Sequence, residues 1–252
     1  MIQIFSVSVL DNGFFDFEKN EPTGELEKFC FNSWKSLIKA YPKYFNQEIK
    51  VFGPCDKEYE YMKKFKSIFS TTRTEVLADI YRFYLLSLYD DMLYLDFDIL
   101  VTNPEKALQS ILKNNILFYR KGEISILQRK TGSSNVFFSE VLKHYEDSLS
   151  SNRDIEADCE TLSKVHGNYI DDCNFETCAN LGFFHLSLFQ SEKEKFIKCI
   201  NKKKIFLSIS RSRVKQSTLS LDFLSLVNAT YSSLENFLEQ TNIQNIKIIE
   251  SS

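Results

Sequence analysis

No stretch of this sequence approaches the roughly 20 consecutive apolar residues that a helix needs to cross a bilayer, so no transmembrane segment is expected. The opening, MIQIFSVSVLDNG, lacks a basic n-region and a small-residue cleavage site, and it reads as a first strand and not as a signal peptide. A surplus of positive charge is missing too. Lys and Arg number 31 against 34 Asp and Glu, a formal net charge of −3, which argues against bulk nucleic-acid binding through phosphate neutralisation. No CxxC pair occurs among Cys30, Cys55, Cys159, Cys173, Cys178 and Cys199. Without a secretory signal, reduced thiols are expected over disulfides or zinc ligation, and a cytoplasmic location with them. Glycine (7) and proline (4) are few, and neither an internal repeat nor a low-complexity linker interrupts the chain.

What is present is apolar and aromatic. The 252 residues are 43% hydrophobic and 26% charged, with 23 Phe and 12 Tyr, enough for a sizeable core in one large α/β domain or one domain with a small helical addition. Aromatic rings fill cores and also stack on sugars and bases, so composition does not separate the two uses.

Periodicity predicts a strand over 2–9, a polar connection over 11–24, and a helix over 25–40 with Leu26, Phe29, Cys30, Trp34, Leu37 and Ile38 at helical spacing. A short strand over 48–52 ends at Gly53-Pro54, and 57–69 reads as helical. Thr72 and Glu75 form a T-x-x-E capping box ahead of Val76, Leu77, Ile80, Phe83 and Tyr84, which predicts a helix ending near Tyr89. A strand over 92–101, apolar along nearly its whole length, suggests burial on both faces, with Asn103-Pro104 closing it. Further on, a short helix (106–112), strands (116–119, 124–128), a helix (135–148), a strand-like run (181–189) and helices (192–201, 219–238) follow. Segment 154–174 is not assignable, and 205–209 is ambiguous. The alternating β-α-β opening predicts a mixed sheet flanked by helices.

The chemistry is concentrated in Leu93-Tyr94-Leu95-Asp96-Phe97-Asp98. Aspartates at i and i+2 of a strand project from one face, and two hard oxygen ligands facing one way suit Mg²⁺ or Mn²⁺ bridging a diphosphate. A bare D-x-D is also a common solvated turn; within an apolar strand, however, two carboxylates are costly to desolvate without a cation or donors. Thr72, Glu75, Asp79 and Arg82 share one helix face. From Asp79 to the helix end is about 15 Å at 1.5 Å per residue, and from Asp91 to Asp96 about 17 Å at 3.3 Å per residue. A helix and strand lying antiparallel would therefore bring Asp79 and Arg82 level with Asp96. The same spacing also fits an i,i+3 ion pair on a wet face, although that face continues into Leu86 and Tyr89.

On these residues, Leu77-Ala78-Asp79-Ile80-Tyr81-Arg82 followed by Leu93 to Val101, the sequence resembles the DXD region of family 32 glycosyltransferases. These include capsule and lipopolysaccharide sugar transferases, and they are similar to the glucosyltransferase core of the clostridial toxins. Leu93 to Val101 also resembles the YLD-x-D strand of family 8. Ser33-Trp34-Lys35 matches an early Ser-Trp helix of family 32, and Ala179-Asn180-Leu181-Gly182 is similar to an acceptor-side segment of family 8. The resemblance implies a GT-A fold, a mixed central sheet flanked by helices with helical C-terminal additions. It implies a single catalytic domain over 1–252, with a nucleotide-sugar half (1–104), an acceptor-side half (105–215) and a helical extension (216–252). By the same resemblance, Asp98 would bind the cation directly and Asp96 would contact ribose and the metal shell. Asp79 and Arg82 would hold the donor sugar and phosphates. Ile4, Ser6 and Val7 of the first strand would cradle the base, and Asn180 and Gly182 would border the sugar pocket. Two features depart from the pattern. Asp90-Asp91 stands where the family has Gly-Gly, with the spacing from helix to DXD one residue longer, and the family 8 H-x-x-G-x-K-P-W metal segment is absent. His166-Gly167 precedes the Asn-Leu-Gly stretch, so the third metal ligand is unassigned.

The expected reaction is transfer of a sugar from a nucleotide diphosphate sugar, a UDP-sugar by preference, to a glycan or lipid-linked acceptor, as in polysaccharide biosynthesis, with Mn²⁺ or Mg²⁺ as cofactor; retention of configuration is implied by the resemblance. No general base is identifiable, since Asp171, Asp172 and Glu176 fit surface solvation equally well. Lys202-Lys203-Lys204 with Arg211, Arg213 and Lys215 suits a solvated loop as well as a phosphate clasp. Leu221, Leu224, Val227, Leu234 and Leu238 read as core or docking surface, through which peripheral membrane contact is conceivable. Two other classes remain open: a haloacid-dehalogenase-like phosphatase, whose nucleophile motif is also Asp-x-Asp but with a Thr where Leu100 stands, and an inactive nucleotide-sugar-binding protein.

Overall fold

A computed structural model of the chain describes residues 1–9, 14–68, 74–101, 103–113, 116–120, 123–133, 135–150, 173–175, 181–185 and 206–210. The expectations for Thr72, Asn180, the acidic residues Asp171, Asp172 and Glu176, the basic run 202–204, and the helices over 192–201 and 219–238 lie outside these residues.

The chain enters as β1 (Gln3–Val7), makes a small hairpin of β2 (Phe15–Asp16) and β3 (Glu21–Pro22), and continues through α1 (Glu25–Ala40) to β4 (Lys50–Phe52). A 3₁₀ turn (Lys57–Tyr59) leads into α2 (Glu60–Ile68), followed by α3 (Thr74–Leu88), β5 (Met92–Leu95) and β6 (Ile99–Val101). Then come α4 (Pro104–Lys113), β7 (Ile116–Arg120), β8 (Glu123–Arg129), α5 (Val136–Ser150), β9 (Cys173–Phe175), β10 (Leu181–His185) and β11 (Phe206–Ser210).

Six strands form a mixed sheet in the order β4-β1-β5-β8-β7-β9. β1 runs parallel to both β4 and β5, β8 is antiparallel to β5 and β7, and β9 is parallel to β7. A second sheet, β10-β11-β6, has β11 antiparallel to β6 and parallel to β10. β4 lies on one side of β1, whereas β5 lies on the other and feeds the remainder of the sheet. The carboxyl ends of β1 and β5 therefore form the switch point where open α/β sheets bind ligands.

Each face of the sheet carries its own core. Phe5, Val7 and Tyr94 pack with α2, α3 and α5 through Phe65, Tyr81, Phe83 and Tyr145. Ile4, Leu93 and Leu95 pack with α1 and α4 through Trp34, Leu37 and Ile111. Alternation along β1 and β5 divides these residues between the faces, and both strands are buried throughout apart from Gln3. Much of the aromatic enrichment is spent here: Trp34, Tyr81, Tyr94, Tyr145, Phe5, Phe15, Phe29, Phe45, Phe65, Phe83 and Phe137 are essentially inaccessible.

Two expectations are corrected. The strand predicted over 92–101 is two strands in different sheets, separated at Asp96–Asp98 by a turn in which the Ile99 N–H donates to the Asp96 carbonyl (3.0 Å). Asn103-Pro104 does not simply close a strand but opens α4. Asn103 Oδ1 accepts from the Lys106 N–H (3.1 Å), and Pro104 occupies the first helical position, where its missing N–H has no consequence. The polar connection over 11–24 also holds the β2–β3 hairpin, whose Phe17 lies on Gly53. A Cβ at Gly53 would fall 2.1 Å from Phe17 Cζ, so only glycine admits this contact.

Among the described residues, Cys30 is buried and Cys55 exposed, both as free thiols. No helix among them is long and apolar enough to cross a membrane.

Candidate functional site at the carboxyl end of β5

Asp96 follows the last residue of β5, and its N–H still donates to Ser125 O of β8 (2.9 Å), so its backbone is tied to the sheet while its side chain is 32% exposed. Phe97 is buried among Phe15, Phe31 and Trp34, which turns the middle of the D-x-D inward and leaves Asp98 half-buried beyond it. The two aspartates therefore flank a turn anchored by an aromatic ring. The strand geometry from which their common orientation is expected does not apply, because the strand has ended.

The turn is held from both sides. On the β5 side, Arg82 of α3 donates from Nη1 to Asp96 Oδ1 (2.9 Å) and to the Tyr94 hydroxyl (3.0 Å), and the Tyr94 hydroxyl itself donates to Asp96 Oδ1. The other guanidinium nitrogen, Nη2, is ion-paired with Asp79. The guanidinium lies 4.8 Å from the Tyr94 ring centroid, a cation–π geometry. Asp79 (7% exposed) and Arg82 (6%) are buried, which excludes the wet-face ion pair that their spacing alone allowed. On the β6 side, Trp34 of α1 donates from Nε1 to Ile99 O (2.7 Å), and Ser33 Oγ accepts from the Val101 N–H (3.0 Å) while donating to Cys30 O (2.6 Å).

Burial drives the Tyr94 phenol well above its ordinary range. Arg82 opposes that shift, and the negative charges of both Asp96 and Asp98 add to it. The hydroxyl thus stays protonated as a donor, and both carboxylates lie close enough to act on it.

The other expected site residues are placed as follows. Ile4 and Ser6 are fully buried and Val7 is 4% exposed; all three lie within β1, and Val7 is its last residue, at the carboxyl edge of the sheet. Gly182 lies in β10, opposite Leu207 of β11, which pairs in turn with Leu100 of β6. Gly182 is therefore two strands, about 10 Å, from the strand that leaves Asp98. Asn180 lies outside the described residues. Sequence reasoning missed Tyr94 as a partner of Asp96 and the reach of Trp34 and Ser33 to β6. An apolar helix stripe gives no sign that an indole N–H is aimed at a carbonyl 65 residues away.

For a divalent cation the donor set is two carboxylates. Among the described residues no three His, Cys, Asp or Glu side chains gather. Asp96 Oδ1 is taken by Arg82 and Tyr94, and among the described residues no hydrogen bond reaches Oδ2. Asp96 and Asp98 are the residues of the turn that could serve Mg²⁺ or Mn²⁺ as hard oxygen ligands, with the remaining positions left to phosphate and water.

These features define a mixed α/β sheet protein with an acidic turn at its switch point. In structure the chain is similar to mouse xyloside xylosyltransferase 1 in its apo form, with a TM-score of 0.45 and 8% sequence identity over 85% of this chain and 99% of that one. No protein-family model matches the chain, and no curated protein matches it in sequence.

Proposed function

We propose that the chain is a metal-dependent glycosyltransferase of GT-A type, which moves a sugar from a nucleotide diphosphate sugar, a UDP-sugar by preference, to a hydroxyl of a glycan or lipid-linked acceptor. One observation carries the reading: Asp96 and Asp98 flank a turn at the carboxyl end of β5, beside β1, where sheet topology puts ligand sites, and a buried arginine fixes the first of them. The resemblance of Asp79 to Arg82 and of Leu93 to Val101 to families 32 and 8 supports it and implies retention.

Asp98 and Asp96 are the residues that would hold Mn²⁺ or Mg²⁺. The cation's contribution, when bound, is neutralisation of charge on the departing diphosphate. In the transfer, the bond from the sugar C1 to the diphosphate oxygen breaks with its electron pair on that oxygen. A bond from C1 to the acceptor oxygen forms, and the acceptor hydroxyl gives up its proton to the departing diphosphate oxygen. The chain supports this by presetting the acidic turn, with Trp34 and Ser33 on one side and Arg82 and Tyr94 on the other, so that ordering it is not left to the moment of reaction. The donor's base would lie against the carboxyl end of β1, whose last residue is Val7.

The test is release of UDP from a panel of UDP-sugars with Mn²⁺, with Mg²⁺ and with EDTA. Metal-dependent release supports the transferase. Hydrolysis of phosphomonoesters instead returns the phosphatase, and UDP binding without turnover leaves a binding protein.

A further inference from the structure

The resemblance assigns Arg82 to the donor's sugar and phosphates, but its surroundings suit another task. Nη1 and Nη2 each meet a carboxylate, and the residue is 6% exposed. Asp79, Arg82 and Asp96 together carry a net charge of −1. A phosphate approaching Arg82 therefore meets a negative cluster, whereas a dication meets an attractive one.

We infer that Arg82 and Tyr94 are positioning residues that fix Asp96 through Oδ1, so that Oδ2 is the oxygen presented to a divalent cation; this rests on the transferase reading above. A carboxylate oxygen has two lone pairs in the carboxyl plane, and two donors, Arg82 Nη1 and the Tyr94 hydroxyl, converge on Oδ1. Such bonds restrict rotation of the carboxyl group, and the side chain's remaining exposure is the route to Oδ2. Asp79 completes the device by holding the far end of the guanidinium, whose planar fork can span two carboxylates where an ammonium cannot. Partners that orient a metal-ligating carboxylate contribute to metal affinity without touching the metal.

The experiment is an electron paramagnetic resonance titration of Mn²⁺ with the full chain, alone and with UDP, for the wild type, Tyr94→Phe and Arg82→Lys, with thermal melting of each. Tyr94→Phe is expected to weaken Mn²⁺ binding about tenfold while melting near the wild type, and Arg82→Lys to weaken it further, within the roughly 10–100-fold range of ligand-orienting partners. UDP affinity measured with Mn²⁺ should fall in step. Wild-type Mn²⁺ affinity in Tyr94→Phe overturns the inference. So does an Arg82→Lys protein that holds Mn²⁺ normally but no longer distinguishes UDP-glucose from UDP, because Arg82 would then act on the sugar. If Arg82→Lys fails to melt cooperatively, Tyr94→Phe decides alone. If the wild type binds neither Mn²⁺ nor UDP, the transferase reading falls and takes this inference with it; if it binds both and Tyr94→Phe is unchanged, only the inference falls.

Discussion

Strand β5 is four residues long and carries an acidic pair at each end, Asp90-Asp91 before it and Asp96 and Asp98 after it, and each pair meets a buried arginine. At the amino end, Arg129 pairs through Nη2 with Asp90 (2.7 Å) while Nη1 donates to Leu86 O (2.8 Å) and Ser87 O (3.1 Å), capping carbonyls at the end of α3. Asp91 sits at φ 54°, in the left-handed region where glycine is unstrained, and accepts from Thr131 N (2.9 Å) and Thr131 Oγ1 (2.8 Å). This accounts for an Asp-Asp pair where the resembling family has Gly-Gly: side-chain hydrogen bonds offset the strain that glycine would avoid. At the carboxyl end, Arg82 takes one oxygen of Asp96 and pairs with Asp79. The amino-terminal pair is absorbed by the fold, whereas the carboxyl-terminal pair lies at the switch point, where the Asp96 side chain is 32% exposed. A carboxylate pair beside an arginine is therefore not diagnostic in itself. Which end of the strand it occupies, and where each oxygen is bonded, separates the two.

The comparison breaks most visibly on activity. Asp98→Asn is expected to lower Mn²⁺-dependent UDP release by at least about a hundredfold, beyond the range for a merely orienting partner, while thermal melting stays near the wild type. Arg129→Met should do the reverse. Losing two carbonyl bonds and an ion pair should lower stability by about 2–4 kcal/mol in urea unfolding, with UDP release per folded molecule preserved. If both variants lose activity equally, the two ends of β5 are not functionally distinct.

A smaller effect separates strain from hydrogen bonding at Asp91. Asp91→Ala keeps the left-handed backbone and loses both Thr131 bonds, for an expected cost of about 1–3 kcal/mol; Asp91→Gly relieves the strain and should cost less. Burial alone would raise the Asp91 carboxyl, but the Thr131 N–H and hydroxyl outweigh it and hold the group below its ordinary value near 3.8. Its contribution is therefore fully present above that value and is lost as pH falls through the lower folded value. Urea midpoints taken from pH 6 down to pH 3 should fall less steeply for Asp91→Asn than for the wild type.

Much of the frame was readable from residue patterns, since β1, α1, α3 and α5 have the spacing of elements with one or two buried faces. The helix–strand arithmetic that brings Arg82 level with Asp96 also has its counterpart in a 2.9 Å ion pair. The turn at Asp96–Asp98 was readable only as the alternative meaning of a D-x-D, and its buried setting was not readable at all. Leu93, Leu95, Phe97, Ile99 and Leu100 are all buried, so apolar residues continue through and beyond the two aspartates where the backbone passes into a second sheet. No glycine or proline marks the turn, because Phe97 is anchored in the core and the turn needs no left-handed residue. The role of Asp90-Asp91 was equally hidden, since Arg129 and Thr131 arrive from a strand and loop about 40 residues later.

The last test concerns the side of the turn that faces α1. Trp34 is fully buried, stacks near Phe97 with ring centroids 6.1 Å apart, and donates to Ile99 O at the first residue of β6. Trp34→Phe keeps an aromatic ring in the core but removes the indole N–H, leaving a buried carbonyl short of a donor at a cost of about 1–3 kcal/mol. Were that bond only a packing accessory, the loss would appear in urea unfolding alone. Because Ile99 also closes the turn by donating to the Asp96 carbonyl, freeing its own carbonyl loosens the segment that carries both aspartates. A fall of a few fold in Mn²⁺ affinity should accompany the stability loss, smaller than for Tyr94→Phe because the bond acts on backbone and not on a ligand oxygen. Unchanged Mn²⁺ binding in a destabilised Trp34→Phe protein would confine presetting of the turn to the Arg82 side.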